Sequence, residues 1–184
     1  MSSPAPGPNA FAASGRYVLR LFAVCAAIVL SPPGVAAPGD LEAKIKAAYV
    51  FHVIKFVDWP TLPNDAVNLC VSGSDGVTVL LSDLAGKQVK DRTLKVDTDG
   101  NFDPSQCQVL FVGRSDRRWQ DIVARVRSFN VLTISDQEGF ARGGGIVGLY
   151  PDGGKIRLEI NPDAARSANL RISAKLLELA RTVP

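Results

Sequence analysis

Residues 38–184 are predicted to form a single α/β domain. Its sheet is mixed but mostly parallel and flanked by helices, with a C-terminal antiparallel hairpin and helix. Three observations predict this. Apolar runs of strand length, NLCVSG (68–73), CQVLFVG (107–113) and VLTISD (131–136), alternate with segments of helical periodicity, the order of an α/β fold. The second run is nearly all apolar, as a central strand covered on both faces is, and the third reads as a second buried strand. Finally, IVGLY (146–150) and KIRLEI (155–160) flank Pro-Asp-Gly-Gly, a hairpin signature.

The elements follow in order. Asp40 is placed to cap a helix running to about Asp58, and Pro60 and Pro63 stop it. Ile45, Tyr49, Val53 and Phe56 form one apolar stripe on that helix, and Ala47, Phe51 and Ile54 a second. Asp75 and Gly86 bracket a second helix over 75–85. QVKDRTLKVD (88–97) alternates weakly and reads as a strand with one wet face. DRRWQDIVARVRS (116–128) sets Trp119, Ile122, Val123 and Val126 at helical spacing. Residues 161–181 read as one closing helix with Asn161 as cap and Pro162 at its first position.

The chain has 184 residues, 46% apolar and 21% charged, which fits one globular domain. Residues 1–37 read as a cleaved signal peptide: Arg16 and Arg20, the ten apolar residues LFAVCAAIVL, then small residues up to Ala37. Ten residues fall short of the roughly twenty that a membrane-spanning helix needs. Removing this segment takes the net charge from +3 to +1. With no basic run, that excludes a nucleic-acid footprint. Export to an oxidising compartment gives Cys70 and Cys107, the two cysteines left, a disulfide reading. Two buried thiols are the alternative.

No catalytic residue, metal site or cofactor is expected. Gly143-Gly144-Gly145-Ile146-Val147-Gly148 matches GxGxxG literally, but it opens a strand where a dinucleotide site needs a helix. His52 is the only histidine, which rules out multi-histidine metal sites. Its apolar neighbours predict a half-buried structural role. Asp97, Asp99 and Asp103 surround Gly100 without EF-hand spacing and read as a solvated turn. An enzyme would require Asp75, Asp136 and His52 to converge in one cleft.

Lys46-Ala47-Ala48-Tyr49, Phe56-Val57 and Trp59-Pro60 resemble the opening motif of the YfiR family of exported bacterial proteins. CVSGSDG (70–76), GKQVKDRTLKV (86–96), CQVLFVG (107–113), VLTISDQEGF (131–140), GGGIVGL (143–149), KIRLEIN (155–161) and LRISAKLLELAR (170–181) continue the resemblance in order. It implies a periplasmic, non-enzymatic repressor of an inner-membrane diguanylate cyclase, acting on the cyclase's periplasmic sensor region to lower cyclic di-GMP and biofilm formation. An outer-membrane lipoprotein that sequesters the repressor and a homodimer are implied as well. Cys70 and Cys107 match one disulfide of the family pattern, while a second pair has no counterpart here. The alternative reading is a periplasmic small-molecule-sensing or carrier domain working with a membrane receptor or transporter. In that reading Gly73-Ser74-Asp75 binds an anion at a helix start. The helix over 40–58 carries more apolar surface than one packed face uses. Tyr49, Phe51, Phe56 and Trp59 are therefore the partner-interface candidates.

Overall fold

The computed structural model describes residues 38–63 and 65–184; the expected signal peptide lies outside the described residues. The chain opens with α1 (Pro38–Lys55) and the short strand β1 (Val57–Asp58). β2 (Ala66–Ser72) leads into α2 (Gly76–Leu81) and a 3-10 turn, Ser82–Leu84. β3 (Gln88–Val89), β4 (Arg92–Asp97), β5 (Val109–Val112), α3 (Trp119–Val126) and β6 (Leu132–Ser135) follow. The chain closes with β7 (Val147–Asp152), β8 (Lys155–Ile160), α4 (Pro162–Ser167), β9 (Arg171–Ile172), α5 (Ala174–Glu178) and β10 (Arg181–Thr182).

Eight strands form one sheet in the order β10-β8-β7-β6-β5-β2-β4-β3, and β1 pairs separately with β9. β4, β2, β5, β6 and β7 are parallel neighbours, while β7 and β8 form the expected antiparallel hairpin. Every residue of β5 and β6 is buried. Val109, Phe111, Leu132 and Ile134 share a core with Val50 and Ile54 of α1 and Leu81 of α2. The alternate residues Leu110 and Val112 pack with Ile122, Val123 and Val126 of α3. The sheet is thus sandwiched between helices, and each fully buried aliphatic side chain contributes roughly 1.5–3 kcal/mol. Strand order reverses between β2 and β5, the position where open α/β sheets have a crevice at their strand ends.

Three boundaries differ from the sequence expectations. α1 ends at Lys55, because the ring of Pro60 clashes with the carbonyl of residue 56 in any helix that continues. Val57 and Asp58 instead pair with Ile172 and Arg171. Asp40 lies inside the first helical turn, where its charge still meets the positive helix end. Residues 88–97 split into a hairpin, β3 against β4, with Lys90 at its turn at φ 55°.

The closing stretch is not one helix. Asn161 caps α4 by accepting from Ala164 N–H. Asn169 then takes φ 55° and donates to Arg166 O, while Leu170 N–H bonds Ala165 O, both at 2.9 Å. This pair of bonds is a Schellman stop. Ser173 restarts the chain as α5 by capping Leu176 N–H. Beyond it, Arg181 of β10 bonds Glu159 of β8 at 2.6 Å.

Cys70 of β2 and Cys107, just before β5, form a disulfide across a sequence separation of 37. It ties together the two strands at which the order reverses. In the chain-entropy account a loop of that size contributes roughly 3–4 kcal/mol. The Cys70→Ser, Cys107→Ser double variant should lose about that much in urea unfolding, and reducing agent should lower the wild-type midpoint alike. An unmoved midpoint in both would show that the cross-link contributes nothing.

Candidate partner-binding groove

α1 is only weakly amphipathic. Ala43, Ala47, Val50 and Ile54, at helical spacing, form its buried face. Ile45, Ala48, Tyr49, His52 and Phe56 line one wall of a groove of about 520 Å³. Ile156 and Leu158 of β8 line it as well, and Leu176 and Leu179, from α5 and its end, close the far side. Ile45 is 39% exposed and Leu179 68%, and Leu41, one turn before Ile45, is 58% exposed. His52 and Arg157 supply polar groups to an otherwise apolar lining. Ser173 N–H donates to Phe56 O at 2.9 Å and holds the start of α5 to the end of α1. The arrangement is a preformed apolar trough with a few polar groups.

The four candidates from the sequence separate. Tyr49 and Phe56 come together in the groove, both half-buried. Phe51, also half-buried, lies outside this lining, with Lys55 Nζ 4.3 Å from its ring centroid. Trp59 is 9% exposed, its Nε1–H donates to Gln108 O at 3.1 Å, and it lies outside the groove, at a separate pocket with Pro60 and Arg171. His52 is exposed, not half-buried. It precedes the buried Val53, but the step of about 100° between successive helix residues carries it off the core face to the groove.

A second polar constellation lies at the C-terminal edge of the sheet. β2, β5 and β6 are each followed or ended by a Ser-Asp pair: Ser74-Asp75, Ser115-Asp116 and Ser135-Asp136. Asp116 accepts from Ser72 Oγ–H at 2.6 Å and from Arg118 Nη2–H at 3.1 Å. The Arg118 hydrogen bond is the main cause that holds its carboxyl down at about 2, with Ser72 adding to it. Ser115 Oγ accepts from Ser74 N–H at 2.8 Å. Gln137 Nε2 donates to Arg114 O at 2.9 Å and to Asp116 O at 3.2 Å.

Asp136 is 4% exposed. Its Oδ2 accepts from Lys46 Nζ at 2.8 Å, and Lys46, itself 3% exposed, also meets Glu42 at 2.7 Å. Arg114 donates to the Asp136 carbonyl at 3.1 Å. Asp136 Oδ1 has no partner among the described residues.

These bonds bear on the other sequence readings. The anion reading needs open N–H groups at the start of α2. Asp75 accepts from Val77 and Thr78 N–H, and Ser74 N–H is bonded to Ser115, so the chain fills that position itself. Asp75, Asp136 and His52 share no hydrogen bond: one caps α2, one pairs with Lys46 and one lies on the groove. Around Gly100, Asp97 accepts from Asp99 N–H at 3.0 Å and Asp103 from Ser105 N–H at 2.9 Å. The Asp103 carboxyl is lowered by those Ser105 bonds. Among the described residues no cluster of three metal-ligating side chains occurs, and no described helix is long and apolar enough to cross a membrane.

The glycine tract before β7 is a packing surface. A Cβ on Gly143 would collide with the Trp119 indole, and one on Gly145 with the Phe140 ring. Those two aromatic rings lie 5.5 Å apart.

The Lys46–Asp136 pair and the α5 wall of the groove were not anticipated from sequence. The pair joins residues 90 apart, and only the repeated Ser-Asp at strand ends hinted at the edge.

The domain is therefore an α/β module that carries an apolar, helix-lined groove. The chain belongs to the YfiR/HmsC-like family, whose match covers residues 43–181. Among solved structures it is similar to a conserved domain protein from Vibrio cholerae O1 biovar El Tor, with TM-score 0.52 and 13% identity over 75% of this chain. The chain spans 60% of that protein's length, and the likeness is one of fold. No curated protein matches the sequence.

Two outcomes follow from the polar edge. Lys46→Ala leaves Asp136 buried without its cation and should destabilise the fold by roughly 3–5 kcal/mol. The Lys46→Met, Asp136→Leu double variant should recover most of that loss in the same urea assay. For Asp116, the folded value lies below the unfolded one near 3.8. Its contribution is therefore complete above about pH 4 and is lost as pH falls toward about 2. That amounts to roughly 2 kcal/mol. Asp116→Asn should be less stable than wild type at pH 6, and the gap should close on acidification over that window. A gap that persists unchanged at pH 2 would refute the assignment.

Proposed function

We propose that this chain is a periplasmic, non-enzymatic regulatory binding protein. In this reading it restrains an inner-membrane diguanylate cyclase by binding the cyclase's periplasmic sensor region, and so lowers cyclic di-GMP and biofilm formation. Membership of the YfiR/HmsC-like family over residues 43–181 carries the reading. The Cys70–Cys107 disulfide supports it, since such bonds persist in oxidising compartments. The groove supports it as the docking surface: half-buried Tyr49 and Phe56 are aromatic anchors of the kind that dominate interface energies. An outer-membrane lipoprotein competing for the same groove would release the cyclase.

The test is capture of membrane proteins from the native host by tagged mature protein, read by mass spectrometry. A diguanylate cyclase should be recovered. Tyr49→Asp and Phe56→Asp should lower its recovery at least tenfold, whereas Phe51→Asp, outside the groove lining, should not. Absence of any cyclase would overturn the reading. Sedimentation of the same variants distinguishes a homodimer, since loss of a dimer instead would assign the groove to a second copy of the chain.

A further inference from the structure

A separate cavity of about 200 Å³ is lined by residues of α3, β6 and α4. Val123, Val126, Val131 and Ile146 give it an apolar lining. Thr133, 3% exposed, stands in its wall. The Thr133 Oγ1 accepts from Ile146 N–H at 2.9 Å, and its own proton has no acceptor among the described residues. Arg127, the exposed residue at the end of α3, lines the cavity and makes no ion pair among the described residues. Gly144 makes room for it: at φ 99°, a Cβ there would stand 3.1 Å from Arg127 Nη2. Asp163, the acidic residue of the lining, is paired with Arg166.

We propose that this cavity binds a small organic carboxylate of about the size of benzoate, its carboxylate held by Arg127 and its apolar body packed on the valines. The volume is of the right order, since a cavity of about 150 Å³ accepts benzene and this half-open pocket holds about 200 Å³. The charge fits, because a guanidinium presents paired donors to a carboxylate. A phosphate-sized anion would leave the valine lining unfilled, and a neutral ring would leave Arg127 unused. The cavity shares no lining residue with the groove, and the proposal does not rest on the regulatory reading.

The test uses the mature protein, ¹⁵N-labelled, titrated with benzoate and, separately, with benzamide as the neutral analogue. Saturable amide shifts should cluster at Val126, Arg127, Gly144 and Ala164. Benzamide should bind about tenfold more weakly, the loss expected for one charge-assisted contact. Arg127→Gln should lower benzoate affinity by the same factor, and Ala164→Leu, which fills the space, should abolish the shifts. Equal binding of the two probes would overturn the proposal, as would benzoate binding indifferent to Arg127→Gln or to Ala164→Leu. Shifts confined to the α1–α5 groove, or no saturable shift, would do the same.

Discussion

The ion pair between Lys46 and Asp136 decides how the first helix sits. α1 carries apolar side chains over more than one face, among them Ile45, Tyr49, Phe51 and Ile54. Hydrophobic burial is non-directional, so it gives such a helix little preference for one rotation over another. Lys46 removes that freedom. A charged ammonium at 3% exposure is tolerable only where it meets its carboxylate, and that carboxylate is fixed at the end of β6. Buried ion pairs add little net stability compared with apolar replacements, and their best-attested use is to specify register. Here the register places Ala43, Ala47, Val50 and Ile54 in the core and leaves Ile45, Tyr49 and Phe56 along the groove.

The same edge of the sheet is bonded largely to itself. In open α/β folds the strand-end crevice at the switch point is the usual ligand position. In this chain the three strand ends are spent on one another. Asp116 holds Ser72 and Arg118, Ser115 holds Ser74, and Gln137 spans to the 114 and 116 carbonyls. The disulfide adds a covalent tie between β2 and the start of β5. Many polar groups of this edge are thus taken up by the chain itself, while Arg117 and Arg118 still line a pocket beside it. The α1 groove and the α3 cavity offer apolar surface instead.

The interior was largely legible in the sequence, and the surfaces were not. A run such as 107–113 announces a buried strand because parallel strands covered on both faces favour apolar residues throughout. Asp75 and Asn161 announce helix starts because their short side chains accept from the backbone donors that a helix leaves open. Trp59 is ambiguous for a related reason. An aromatic residue at the end of a greasy helix looks the same whether it packs inward or waits for a partner, and only the Gln108 carbonyl that receives its N–H tells them apart. Lys46 was equally opaque, since its carboxylate is 90 residues away. The closing segment misled through periodicity: Leu170, Ala174, Leu177 and Ala180 keep helical spacing across a break made by Asn169 and Ser173.

That break makes the groove. A continuous helix over 161–181 would run straight past the end of α1 as a rod of about 30 Å. Instead the Schellman stop at Asn169 turns the chain, β9 pairs with β1, and Ser173 N–H bonds the Phe56 carbonyl. α5 begins at that anchor, which carries Leu176 and Leu179 to the side facing Tyr49 and Phe56. Downstream, β10 is fastened by Arg181 to the buried Glu159, which also receives Arg142. The far wall of the groove is therefore one short helix held between two fixed points, and its separation from α1 is set by backbone pairing. A surface built this way is shaped before any partner arrives, which reduces the ordering cost of association.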